Sequence, residues 1–201
     1  ATHDSLTNAL TRRHMNEACE KELERCRRHG HSMALVVMDM DHFKAVNDTH
    51  GHQAGDRVLI NFVAHVKALL RSPDLLGRFG GEEFMLMLPE TTQDEAVSVA
   101  ERIRKACFTD TELHACTVSI GVTTNHIAGD TVGTLIARAD AAMYQAKAKG
   151  RNRVDVADPE PGASLITPRA HTSRQKPAHP LATAPPASAR ARLVRSGSRH
   201  G

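Results

Sequence analysis

The chain of 201 residues is 40% hydrophobic and 24% charged, the balance of a globular domain with a sizeable core. Aromatics make up only 3% and Trp is absent, which argues against the stacked aromatic surfaces of single-strand nucleic-acid binders. No apolar run reaches membrane-span length, no signal-peptide pattern opens the chain, and four scattered cysteines without a CxxC pair fit a reduced compartment.

The formal net charge of +3 is unevenly placed: residues 157–201 hold seven Lys/Arg and two acids, leaving a net of −2 on residues 1–156. The basicity therefore does not describe a nucleic-acid-binding face on the folded part. Seven of the nine prolines also fall after residue 156, so 157–201 is expected to be a disordered, solvated Pro/Ala/Arg-rich tail. The first residue is Ala rather than Met, which suggests a piece of a longer protein. Residues 1–11 read as a linker from a preceding region, and 12–156 as the folded domain.

Met15, Cys19, Leu23 and Cys26 mark one face of a helix over about 12–29. Met33–Met38 is a continuous apolar run suited to a strand buried on both faces. Leu59, Phe62, Val63, Val66 and Leu70 predict a helix over about 53–71, stopped at Ser72 before Pro73. Two short strands at about 75–79 and 83–88 flank Gly80–Gly81, a hairpin-turn dipeptide. Ala96, Val99, Ala100, Ile103 and Cys107 give the next helix, and Val118, Ile120 and Val122 alternate as a strand. Leu135, Ala139, Ala142, Met143 and Ala146 give a last helix before an edge strand at Val154–Val156. The order β-α-β-β-α-β predicts an α+β, ferredoxin-like sheet covered by helices, with extra elements at each end.

Acidic residues gather where strands end: Asp39 and Asp41 after the first apolar run, Glu82 and Glu83 after the Gly80–Gly81 turn. If those strands are neighbours the carboxylates converge, and hard oxygen ligands of this kind suit Mg²⁺ or Mn²⁺. Two such ions can activate an attacking hydroxyl and stabilise a leaving phosphate. His42-Phe43-Lys44 opens a turn or short helix whose free N–H groups suit phosphate, and Lys147 and Arg151, spaced i,i+4, would share a helix face as a triphosphate clamp. Asn47 and Asp56 flank Gly51-His52-Gln53-Ala54-Gly55; an amide and a carboxylate together match the guanine edge. Taken singly, each of these also reads as a turn acid, a helix cap or a solvated helix end.

Arg78-Phe79-Gly80-Gly81-Glu82-Glu83-Phe84 resembles the signature of the GGDEF family in its GGEEF form. Four further stretches match in order: Asp4-Ser5-Leu6-Thr7; Asp39 to Lys44 with Asn47-Asp48; Gly51-His52 with Gly55-Asp56; and Tyr144 to Lys147 with Gly150-Arg151-Asn152. The resemblance covers about residues 4–155. It implies a nucleotidyl-cyclase, polymerase-palm-like fold and a diguanylate cyclase that joins two GTP into cyclic di-GMP. Asp39, the Met40 carbonyl, Glu82 and Glu83 would hold two Mg²⁺ or Mn²⁺, with Glu83 also helping to deprotonate the ribose 3′-OH. Asn47 and Asp56 would read guanine. Lys44, Lys147 and Arg151, the backbone N–H groups of His42 and Phe43, and the Gly80–Gly81 turn would contact GTP. One GTP per domain implies a homodimer, working in the cytoplasm with no nucleic-acid partner and no membrane segment in this chain, though tethering through a preceding region is compatible. His42 departs from the apolar or aromatic residue frequent there, and 108–116 is short for the family.

Arg71-Ser72-Pro73-Asp74, nine residues before Gly80, resembles the family's RxxD inhibitory site, with Arg102 as a supporting contact to cyclic di-GMP. The pairs His29/His31 and His50/His52 lack Cys or His partners at useful spacing, so they read as surface residues, and the cysteines as small core hydrophobes. Two rivals remain at this level: a receptor that binds nucleotide without turnover, and a cyclase of different base preference. The complete GGEEF and clamp residues argue against the first, Asn47 and Asp56 against the second.

Overall fold

The computed structural model describes residues 1–109, 116–125 and 128–157. The tail and most of the short 108–116 segment lie outside the described residues. The elements run β1 (Leu10–Thr11), α1 (Arg12–His29), β2 (Met33–Met40), α2 (Phe43–His50), α3 (His52–Leu69), β3 (Leu75–Arg78) and β4 (Glu83–Pro89). They continue with α4 (Gln93–Thr109), β5 (Val118–Thr124), α5 (Val132–Ala148) and β6 (Val154–Val156).

All six strands form one sheet in the order β1-β3-β4-β2-β5-β6. The inner pairings β3–β4, β4–β2 and β2–β5 are antiparallel, while β1 and β6 add parallel edges. The inner strands with α3 and α4 make the βαββαβ unit, an α+β arrangement of ferredoxin-like order.

Every residue of β2 is buried because each face of the sheet carries its own helical layer. Ala34, Val36, Met38 and Met40 pack with residues of α2, α3 and α4, among them Phe62 and Ile103. Met33, Leu35 and Val37 pack with α1 and α5 through Met15, Leu23, Leu135 and Met143. On the first face the Phe62 and Phe84 rings meet at 4.9 Å between centroids, tilted by 49°. Burying one such ring contributes roughly 1.5–3 kcal/mol.

In β5 the alternation has a second meaning. Val118, Ile120 and Val122 enter the first core, while Ser119 and Thr123 are fully buried on the other face. Gly121, between them, admits α5: a Cβ there would lie 2.0 Å from the Ala139 carbonyl oxygen. α1 ends at Gly30, whose φ of 70° is the left-handed cap that places its N–H on the Cys26 carbonyl.

Residues 1–11 contribute to the sheet: Ala9 is buried, Leu10–Thr11 pairs with β3, and Thr11 N–H donates to the Thr2 carbonyl at 3.0 Å. One expectation is corrected here. The helix expected to reach residue 71 ends at Leu69, with Leu70 extended at ψ 155°. The cause is local, because Asp74 Oδ2 accepts the Arg71 backbone N–H at 2.8 Å and draws the chain out of the helix. Among the described residues no helix is long and apolar enough to cross a membrane.

Candidate active site

The antiparallel register of β2 and β4 sets Asp39 directly opposite Glu83. Opposed residues of such a pair lie about 4.5–5.5 Å apart at Cβ, so the two carboxylates share one sheet end. Glu82 joins them, since Met40 N–H donates to the Glu82 carbonyl at 3.3 Å. Asp39 is buried and Glu83 exposed.

The hairpin that presents Glu82 and Glu83 is braced from behind. Phe79 N–H donates to the Glu83 carbonyl at 2.8 Å. The Arg78 guanidinium donates to the carbonyls of Gly80 and Gly81 at 3.2 and 2.7 Å, and to Asp4 Oδ1 at 3.0 Å. Burial pushes the Asp4 carboxyl upward, but the Thr7 side-chain and backbone donors and Arg78 outweigh it, holding it below the usual range. Nothing local in the sequence marks the brace between Asp4 and Arg78, whose partners lie 74 residues apart in the chain.

Charge is concentrated at the edge. Burial raises the Asp39 carboxyl above its ordinary range, and Glu83 and Asp41 add to the rise, against the opposing pull of Lys147. Burial also raises Glu82, reinforced by Asp39 and Glu83. Lys147 Nζ lies 2.9 Å from Asp39 Oδ2, so one cation already stands at the cluster.

Among the described residues no three His, Cys, Asp or Glu side chains form a ready-made metal cage. Mg²⁺ sites commonly take only one or two protein carboxylates, with substrate phosphates and water supplying the rest of the shell. Asp39, Glu82 or Glu83 and the Met40 carbonyl fit such a partial set.

Next to the acids, His42 takes a left-handed conformation (φ 58°) and turns the chain into α2. In the first turn of α2 the Ala45 N–H donates back to the His42 carbonyl at 2.8 Å, and no side chain caps the turn. Lys44 is exposed on that turn. Asn47 packs against α3 where Gly55 leaves room, since a Cβ on Gly55 would lie 2.0 Å from Asn47 Oδ1. Asp56, the next residue, is exposed at the same corner.

Lys147 and Arg151 do not share a helix face as expected. α5 ends at Ala148, and Gly150 (φ 112°), Arg151 (φ 63°) and Asn152 (φ 46°) form a left-handed loop that carries the exposed Arg151. Asp41 also leaves the expected group: it is 2% exposed and wholly occupied by hydroxyl and amide donors away from the edge. The Cys116 thiol is pushed up to about 12, burial first and Asp41, Glu82 and Asp39 next, so it stays protonated.

Arg71 lies at the other end of β4, where its guanidinium donates to the Thr91 hydroxyl at 2.8 Å and approaches the Pro89 carbonyl at 3.5 Å. Asp74 is buried with both oxygens engaged by Arg71. As arranged it holds Arg71 rather than presenting an acceptor to a ligand. Arg102 is exposed and reaches the Leu69 carbonyl at 3.5 Å, two residues before Arg71. A groove of about 380 Å³ opens beside Arg71, with Lys67, Ser72 and Asn8 in its lining.

Comparison with known proteins gives a consistent result. A family profile described as diguanylate cyclase, GGDEF domain, matches residues 1–153. Response regulator PleD of Caulobacter vibrioides is 40% identical over 161 residues, covering 77% of this chain and 36% of that protein. Probable diguanylate cyclase DgcC of Escherichia coli is 34% identical over 161 residues, covering 78% of this chain and 43% of that protein. The chain thus spans less than half the length of these relatives. The GGDEF domain of DgcB from Caulobacter crescentus, solved in complex with c-di-GMP, superposes with a TM-score of 0.75 at 34% identity, covering 78% of this chain and 96% of that one. By profile, sequence and fold, the chain belongs to the GGDEF-domain diguanylate cyclase family.

Proposed function

We propose that this domain condenses two GTP into cyclic di-GMP, releasing two pyrophosphates. In each half-reaction the ribose 3′-oxygen of one GTP bonds to the α-phosphorus of the other, and the α–β anhydride bond breaks. The observation that carries this reading is the register pair Asp39–Glu83, set at a sheet end beside the uncapped first turn of α2.

Asp39, Glu82, Glu83 and the Met40 carbonyl would hold two Mg²⁺ or Mn²⁺. Bound there, the ions would supply Lewis-acid polarisation and charge neutralisation at the phosphates. Glu83, exposed at the mouth, accepts the 3′-hydroxyl proton. The His42 and Phe43 amides, Lys44, Lys147 and Arg151 hold the triphosphate, with the Gly80–Gly81 turn lying against it. The i,i+4 pairing is not needed for this, because Lys147 stands at Asp39 from α5 and Arg151 is carried, exposed, on the loop beyond it. Asn47 and Asp56 read the guanine edge. Each domain presents a single 3′-hydroxyl to a partner's α-phosphate, so catalysis takes two domains face to face, in the cytoplasm where GTP is supplied. Arg71, Asp74 and Arg102 bind the product and restrain turnover, Asp74 by orienting Arg71.

Incubation with GTP and Mg²⁺ followed by mass analysis tests the reading. The expected products are cyclic di-GMP and pyrophosphate. GTP binding without turnover in the dimeric protein would favour a receptor instead, and turnover of ATP in preference to GTP would overturn the roles of Asn47 and Asp56.

A further inference from the structure

Asp41 stands two residues beyond Asp39, yet it is 2% exposed and points into the protein. Its Oδ1 accepts from the Ser119 hydroxyl at 2.7 Å, and its Oδ2 from the Thr117 hydroxyl at 2.7 Å. Oδ2 also accepts the backbone N–H of Asn152 at 3.0 Å. The Asp41 backbone is tied as well, its N–H donating to the Thr117 carbonyl at 2.8 Å and its carbonyl accepting from Cys116 Sγ at 3.0 Å.

These bonds join segments of different jobs. On one side of Asp41 the chain turns through left-handed His42 into the uncapped amides of α2. On the other, the Asn152 amide closes a loop in which Gly150, Arg151 and Asn152 all have positive φ. Two consecutive non-glycine residues in that region persist only where the surroundings impose them. The side-chain tie from Arg104 to Asn152 Oδ1, at 3.0 Å, holds the loop from outside; Asp41 holds it from the phosphate side.

We propose that Asp41 is a positioning residue for the nucleotide triphosphate, fixing the α2 amides and the Arg151 loop at one separation. This rests on the reading of those two elements as phosphate contacts. A metal ligand at this position would need a free carboxylate oxygen facing the edge; Asp41 offers none.

The test is calorimetric binding of 3′-deoxy-GTP with Mg²⁺, since that nucleotide binds without being able to react. Asp41→Ala removes the acceptor of the Asn152 amide, and Kd is expected to rise about tenfold or more. Asp41→Asn keeps an oxygen for that amide and turns its NH₂ to the Ser119 hydroxyl, so Kd stays within about threefold. Equal damage by both variants would overturn the proposal in favour of a charge or ligand role. In the Asp41→Ala background, Arg151→Ala is expected to add less than about twofold, because the two act through one element. Full additivity would also overturn it. Should Asp41→Ala not fold, the same cycle is run with Thr117→Val plus Ser119→Ala, which frees the carboxylate from its anchors, and the same two outcomes decide. If Arg151→Ala alone leaves Kd unchanged, the reading of Arg151 as a phosphate contact fails, and the coupling to Asp41 falls with it. A damaging Arg151→Ala with additive Asp41→Ala sinks the positioning role alone.

Discussion

Asp39 and Glu83 face each other across two strands but meet solvent differently, and the roles proposed for them follow that difference. Asp39 is buried and paired with Lys147, a fixed anchor, while Glu83 is exposed and able to meet a substrate hydroxyl. Replacing Glu83 with Gln removes only an exposed charge, so melting temperature is expected to stay within about 2 °C. Cyclic di-GMP formation is expected to vanish at saturating Mg²⁺; near-native turnover by mass analysis would remove Glu83 from the chemistry. Asp4 makes a different prediction. Its folded carboxyl is held below the ordinary Asp range, so the brace it forms with Arg78 stabilises the native state at pH values above that range. The contribution fades as pH falls from about the ordinary Asp range through the lowered folded value. Asp4→Asn should therefore lower the melting temperature at neutral pH and flatten the acid limb as pH falls through and below the ordinary Asp range. An unchanged acid limb would show that the brace does not titrate with folding.

Elements with one strong signal were legible in the sequence, and those set by distant partners were not. The apolar run at Met33 and the face marked by Met15, Cys19, Leu23 and Cys26 carry their own periodicity, so strand and helix could be placed to within two residues. The end of α3 depends on where Asp74 finds a donor, and the loop after α5 on three consecutive positive φ angles. Neither has a periodic trace. Asp41 is the clearest case: beside Asp39 in sequence it reads as another edge acid, but its hydroxyl donors stand 76 and 78 residues away on the β5 side. The same limit applied to β5, whose alternation was visible while the reason for its glycine was not. That reason gives a prediction. Gly121→Ala places a methyl against the backbone of α5 rather than against a flexible side chain, so the helix must move. Overpacking of this kind costs about 1–3 kcal/mol, a fall of roughly 3–10 °C in melting temperature for a domain of this size. An unchanged melting temperature would mean that α5 is less closely seated on β5.

At the scale of the whole molecule, the two functional regions occupy opposite ends of one strand. Glu83 opens β4 at the acidic edge, and Pro89, whose carbonyl faces Arg71, closes it. Six residue steps separate them, about 20 Å along a strand, and the sheet between is buried on both faces. On the proposed reading, product held at Arg71 would therefore lie far from the acids and would act through the placement of the domain rather than by blocking them. Arg71 is also already oriented: Asp74 takes its guanidinium from one side and Thr91 from another, so little ordering remains to be done when a ligand arrives. Arg71→Ala is thus expected to leave initial rates at low product near those of the parent protein. It should weaken cyclic di-GMP binding, since a charge-assisted contact of roughly 1.5–3 kcal/mol is removed, about one to two decades in affinity. Calorimetric titration of cyclic di-GMP measures the binding change, and progress curves followed to high product measure the release of inhibition. Asp74→Ala should produce a smaller change of the same sign, because it frees Arg71 without removing it. Equal affinity in the parent and Arg71→Ala proteins would reduce the pair to a local brace at the end of α3.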